Sequence, residues 1–224
     1  MRADAEEVGV QIVTGDIKVV QRGSADKIFI NTVGISVVEH DLSLSAANAR
    51  AGDKIILSGT MGDHGTIIMI ARGELELDAD IHSDAAPLWS LARLMLETTT
   101  EIRVMRDPTR GGVTTTLNEL AMASDVGFQI DEQSLPVHEE VKGVCEILGL
   151  DPLYIGNEGK LIAVVAADSA DALLARMQEH PHGRDARIIG EARSEPAGIV
   201  SMRTAFGGTR IVDLLVGEQL PRIC

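Results

Sequence analysis

Apolar residues recur along the chain with two different spacings. Period-two alternation and short unbroken apolar runs predict strands over 9–13, 27–38, 54–58, 103–105, 126–130, 161–166, 186–190, 199–202 and 209–212. Helical spacing predicts helices over 66–71, 86–97, 113–124, 137–148 and 169–179. The helix from Ala86 should enter through Ser83 and Asp84 with Pro87 in its first turn. The helix over 137–148 should bury Val141, Val144, Cys145 and Leu148 along one face. Strands and helices mix without an internal repeat, which predicts a two-layer α+β architecture.

The polar and small-residue stretch 39–52 interrupts this pattern and is the best place for a domain boundary. Two strands joined by one loop cannot build a core in water, so residues 1–45 need partner strands. These come either from a second copy of the chain or from the remainder of a larger domain. Residues 46–216 carry the α+β pattern, and 217–224 form a tail.

Composition narrows the functional classes. The chain has 224 residues, 45% of them hydrophobic and 24% charged, as in a globular protein with one full core. A formal charge of −14 argues against nucleic acid and anionic membranes as main partners. No apolar run has the length of a bilayer span, and 1–20 lack a signal-peptide pattern, so the cytoplasm is the expected compartment. Cys145 and Cys224 are too few for a disulfide scaffold, and no Cys/His cluster has zinc spacing. Cys145 is expected to be a buried small hydrophobe, and His180-Pro181-His182 a loop.

Four local features can carry chemistry. In Thr14-Gly15-Asp16-Ile17-Lys18 a glycine turn presents an acid and a base on one side of an extended segment, placing Asp16 for magnesium and Lys18 for phosphate; a solvated hairpin turn is the structural alternative. Ser58 to Gly65 carries glycines at every third position between a strand and a helix, either an anion loop or a bare tight turn. Arg106-Asp107-Pro108-Thr109-Arg110-Gly111-Gly112 joins two arginines and a hydroxyl to a helix start, a phosphate or carboxamide cradle. Its structural alternative has Thr109 or Asp107 capping the helix and the arginines pairing with surface acids. Finally, Glu158 in Gly156-Asn157-Glu158-Gly159-Lys160 stands on a glycine-flanked turn before an apolar strand, as a general acid or base would.

The C-terminus places a thiol on the last residue of Leu220-Pro221-Arg222-Ile223-Cys224. The eight residues from Gly217 reach at most about 26 Å, enough to swing between an internal site and an external enzyme. Prenylation would need the cysteine four from the end.

These motifs, in this order, resemble the hydrogenase maturation HypE family, within the superfamily of aminoimidazole ribonucleotide synthetase and selenophosphate synthetase. The resemblance runs from about Val10 to the end and is carried by the TGDIKVV, GDHG, RDPTRGG, NEGK and PRIC segments. It implies that 1–45 are the C-terminal remnant of an ATP-binding, dimer-forming domain and that 46–216 are the family's α+β domain. It also implies ATP and Mg2+ as cofactors, and a tail whose Cys224 accepts a carbamoyl group from a HypF-like carbamoyltransferase. ATP-driven dehydration would turn that group into a thiocyanate, whose cyano group passes to a HypC–HypD-like iron scaffold. By resemblance Glu158 is the base that removes an N–H proton, and Lys18 contacts phosphate or the reacting group. Asp16, Arg106, Asp107, Thr109, Arg110 and Gly111 are the nucleotide-binding candidates, and Asp16 the metal candidate.

Two departures bear on activity. Family members carry roughly a hundred further N-terminal residues, by the usual size of such a domain, and Ile17 stands where the family usually has threonine. Weak ATP binding by these 224 residues is therefore expected. Two other readings stay open: a catalytically impaired fragment that only docks partners, or a related ATP-dependent synthetase acting on a free small molecule.

Overall fold

The computed structural model describes residues 1–24, 28–72 and 81–214, and it divides into two units, Met1–Leu42 and Ser43–Cys224. The first unit opens with a short helix, α1 (Arg2–Glu7), and continues as extended chain. The strands expected over 9–13 and 27–38 have no ladder among the described residues, which exclude Lys27. Val13, Val19, Val33 and Ile35 are 84%, 93%, 92% and 98% exposed, so neither face of the segment is covered. Alternation marks a chain able to lie on a sheet, but it becomes a strand only beside a hydrogen-bonding neighbour.

Among the described residues of the second unit seven strands form one sheet: β1 (Lys54–Leu57), β2 (Ile102–Arg106), β3 (Gly127–Asp131), β4 (Ile162–Val165), β5 (Arg187–Arg193), β6 (Val200–Arg203) and β7 (Thr209–Ile211). Their order is β2-β4-β1-β5-β3-β6-β7. Every pairing is antiparallel except that of β3 with β6. The α+β class expected from the pattern is what this sheet and its helices form.

Alternate residues of the central strands serve opposite faces. Ile55, Leu57, Val104, Ile162 and Val164 pack with Val113, Leu117 and Leu120 of α4 (Gly112–Ser124). Ile56, Ala163 and Val165 turn the other way, onto Leu91 and Met95 of α3 (Trp89–Thr98) and Leu173 and Met177 of α6 (Ala167–Gln178). Helices thus cover both faces here, a further layer beyond the expected two. At about 1.5–3 kcal/mol for each fully buried Leu, Ile, Val or Met side chain, these two clusters hold the strand ends in place.

A third cluster joins α2 (Asp63–Ala71) to α5 (Glu139–Leu148) through Met69, Val141, Val144, Cys145 and Ile155. Val141, Val144 and Cys145 are buried as expected, whereas Leu148, at the last turn of α5, is 36% exposed. Burial pushes the Cys145 thiol up to about 11, with the Asp151 charge adding to the effect.

The helix expected from Ala86 begins instead at Trp89, with Pro87 ahead of it. Ser83 and Asp84 do not cap it, because their side chains are engaged elsewhere: Ser83 Oγ lies 3.0 Å from His64 Nδ1, and Asp84 faces the turn at Glu158. His180-Pro181-His182 is a loop ending in a 3-10 turn, Pro181–Gly183, in which His180 Nδ1 accepts the His182 N–H. Burial, then the neighbouring His182, lowers the His180 pKa. Among the described residues no helix is long and apolar enough to cross a membrane.

Candidate functional site

Three of the four motif loops meet at one buried side chain. The Asn157 carboxamide, with 0% exposure, accepts the Gly62 N–H through Oδ1 at 2.8 Å. Its Nδ2 donates to the Pro108 carbonyl at 3.2 Å and to the Ile155 carbonyl at 3.0 Å, and its own N–H donates to Pro108 at 3.3 Å. The β1–α2 loop, the β2–α4 loop and the 156–160 turn are thereby fixed to one another. A second tie runs between the ends of β1 and β4: Ser58 N–H donates to the Leu161 carbonyl at 3.0 Å, and Leu161 N–H to Ser58 Oγ at 3.0 Å.

Glycine is required where these loops enter their helices. Gly62 precedes α2 at φ +86°, and an added Cβ would lie 2.9 Å from Val141 Cγ1. Gly112 opens α4 at φ +66°, its missing Cβ 2.4 Å from the Leu153 carbonyl oxygen.

The two helix entries differ electrostatically. Asp63 occupies the first turn of α2, buried, with Oδ2 accepting from Thr60 Oγ1 at 2.5 Å and Oδ1 3.0 Å from His138 Nδ1. The favourable position for an anion at that helix start is taken by the chain's own carboxylate. α4 is entered through Gly111 with no side-chain cap and has no acid in its first turn. Of the two helix entries, that of α4 is thus the one with no carboxylate of its own in the first turn.

The sequence candidates fall into separate places. Arg106 is 47% exposed in its side chain and pairs with Glu119 at 3.1 Å and Asp107 at 3.7 Å, as in the surface-pair alternative. Neither Thr109 nor Asp107 caps α4: the loop enters through left-handed Gly111, while Thr116 Oγ1 donates to the Asp107 carbonyl at 3.3 Å. Thr109 is half-buried and Arg110 exposed. Glu158 is half-buried beside Asn157. Its N–H donates to Asp84 Oδ1 at 3.2 Å, and Lys160 Nζ donates to Asp84 Oδ2 at 3.2 Å. A cavity of about 270 Å3 opens here, with Ser58, Thr60, Asp84, Lys160, His182 and Arg184 in its wall. Asp16 and Lys18 are exposed on the extended chain of the first unit. Cys224 lies outside the described residues.

Asn157 and Asp84 were missing from the candidates read off the sequence. Asn157 stood inside a recognised motif, while Asp84 read as an ordinary helix entry.

A family model, the C-terminal domain of AIR synthase related proteins, matches residues 50–203. The chain is 54% identical over 224 residues to the carbamoyl dehydratase HypE of Cupriavidus necator, covering 100% of itself and 64% of that protein's length. Among solved structures, it matches one of a HypE–HypF complex with TM-score 0.92 and 47% identity, over 96% of this chain and 70% of that one. It matches a HypE structure in complex with ATP with TM-score 0.87 and 45% identity, over 99% of this chain and 68% of that one.

Proposed function

Because this chain belongs to the HypE family of hydrogenase maturation proteins, within the AIR synthase related proteins, we propose that it serves the ATP-dependent dehydration of an S-carbamoyl group on Cys224 to a thiocyanate. The observation that carries this reading is the Asn157 knot. It locks Glu158 beside a loop whose helix entry is uncapped, free of acid and flanked by arginines. A base and a phosphate cradle on one rigid support suit a reaction that moves a phosphoryl group and removes a proton at the same centre.

The amide oxygen of Cys224–S–C(=O)–NH2 takes the γ-phosphoryl group of ATP and leaves with it as phosphate. Both N–H protons are lost, and the nitrogen electrons close the C≡N bond. The products are the S-cyano chain, ADP and phosphate. Glu158 accepts one of the two protons, and the departing phosphate carries the other away as hydrogen phosphate. The α4 entry at Gly111, with Thr109 and Arg110, receives phosphate oxygens, with Arg106 and Asp107 at its margin. On the family resemblance alone, Lys18 is the proposed contact to phosphate or the reacting group and Asp16 the proposed Mg2+ contact. Magnesium, when bound, neutralises the triphosphate. Among the described residues no group of three or more His, Cys, Asp or Glu side chains could hold a metal ion.

A HypF-like carbamoyltransferase is the expected donor, since a relative is solved as a HypE–HypF complex. A HypC–HypD-like iron scaffold is the expected acceptor, in the cytoplasm. The uncovered apolar residues of the first unit suit the expected homodimer, whose second copy would supply strands.

The test is mass spectrometry of the tail after incubation with a HypF-like carbamoyltransferase, carbamoyl phosphate and Mg-ATP. A carbamoyl adduct on Cys224 that then loses one water supports the reading. No adduct refutes it in favour of a partner-docking module, and unchanged ATP turnover in Cys224→Ala refutes it in favour of a diffusible substrate.

A further inference from the structure

We propose that Asp84 is a positioning residue for Glu158: its buried carboxylate holds the Glu158-Gly159-Lys160 turn at both ends and so sets where the Glu158 carboxyl points. The inference rests on the reading of Glu158 as the base. Asp84 is 2% exposed in its side chain, and its two oxygens are divided between the two residues that flank Gly159. Oδ1 takes the Glu158 N–H, and Oδ2 takes the ammonium of Lys160, whose side chain is only 12% exposed.

The fit is tight from the other side as well. A Cβ on Gly159 would lie 1.6 Å from the Asp84 carbonyl oxygen and 2.7 Å from its carbonyl carbon, so the two backbones are pressed together with no room for a side chain. The 83–86 segment is also anchored from behind. Ser83 Oγ accepts the Ala85 N–H at 3.2 Å and meets His64 Nδ1 at 3.0 Å, and the same ring nitrogen lies 3.8 Å from Asp84 Oδ1.

Asn157 and Asp84 thus have different tasks. Asn157 fixes the turn to the phosphate loop, whereas Asp84 fixes the orientation of the residue that follows. A buried carboxylate accepting a charged and a neutral donor in fixed geometry is a directional device, and its stiffness is inherited by a base only one residue long. Lys160 is the ion-pair partner of this buried carboxylate, at 3.2 Å.

Two readouts test this on the full chain: amide hydrogen exchange at Glu158, and single-turnover conversion of the carbamoylated tail at varied ATP. Asp84→Ala is expected to lose at least about tenfold in Glu158 amide protection and at least about tenfold in maximal conversion rate, with the ATP concentration for half-maximal rate unchanged. Asp84→Asn keeps an oxygen for the Glu158 N–H and should restore both to within about threefold of the parent. Should Asp84→Ala not fold, the same comparison is made in a Lys160→Met background, which leaves no buried ammonium unpaired. Asp84→Ala with parental protection and rate overturns the proposal, as does an asparagine variant no better than alanine. Glu158→Gln separates the two levels: if it converts the tail at the parental rate, the reading of Glu158 as base fails, whatever Asp84 does.

Discussion

Replacing Asn157 with alanine removes a side chain hydrogen-bonded across all three loops, and the cost can be worked bond by bond. The Gly62 N–H loses its acceptor in a buried site, about 1–3 kcal/mol for an unsatisfied donor. The two bonds from Nδ2, to Pro108 and Ile155, carry about 0.5–1.5 kcal/mol each. Pro108 keeps the Asn157 backbone N–H at 3.3 Å, so its carbonyl is not fully orphaned. The sum is about 3 kcal/mol, which for a domain of this size lowers the melting temperature by roughly 6–12 °C. Asn157→Asp sharpens the test. It keeps an acceptor for Gly62 but turns a second carboxylate oxygen toward two carbonyls, so it should be at least as destabilising as alanine. Urea unfolding followed by circular dichroism, with an unchanged m-value, measures both. A loss below about 1 kcal/mol for alanine, or a parental stability for aspartate, would refute the idea that Asn157 is the common fastening.

Gly159→Ala forces a Cβ into the Asp84 backbone and is expected to cost more than about 3 kcal/mol or to prevent folding. Gly34→Ala, with nothing within 4 Å of the new Cβ, should change stability by no more than about 0.5 kcal/mol; equal thermal melts for the two would contradict the crowding. Cys145, buried and with its thiol pushed up to about 11, should stay unlabelled by iodoacetamide in native protein at pH 8 and react after unfolding; peptide mapping that finds it alkylated in the native state contradicts this. The hydrogen bond from Lys54 to Glu191, 2.6 Å long, holds the glutamate pKa below its ordinary 4.5, helped by the charges of Lys54, Arg193 and Arg203. A depressed folded pKa contributes stability above the unfolded value that is lost as pH falls through the folded one. Glu191→Gln should therefore cost about 0.5–1 kcal/mol at pH 7, and the gap should close as pH drops below 4.5. A gap that persists unchanged in acid would show that the charge is not its source.

Most of the second unit was legible because its signals are local. The apolar run ending in Val165 and the spacing of Leu117, Leu120 and Ala121 state their period within a few residues. The helix start at Trp89 was not legible: Ser83 and Asp84 carry the chemistry of a cap, and only their distant partners show why they do not act as one. The site divides along the same line. The glycines at 62, 111 and 112 announce their turns, but the bonds that join the loops span 95 residues from Gly62 to Asn157 and 74 from Asp84 to Glu158. Nothing in a linear pattern pairs such positions. The first unit shows the converse: its alternation predicts strands over 9–13 and 27–38, and among the described residues it forms no ladder.

That first unit has a consequence for how the protein responds to perturbation. Unfolding enthalpy and heat capacity follow the surface that is removed from water, and Val13, Val19, Val33 and Ile35 remove almost none. Heat and denaturant therefore report on the sheet and its helices while remaining blind to Asp16 and Lys18. A substitution at either should leave the melting curve of the single chain where it is, so selection for thermal stability alone would leave this segment free to drift.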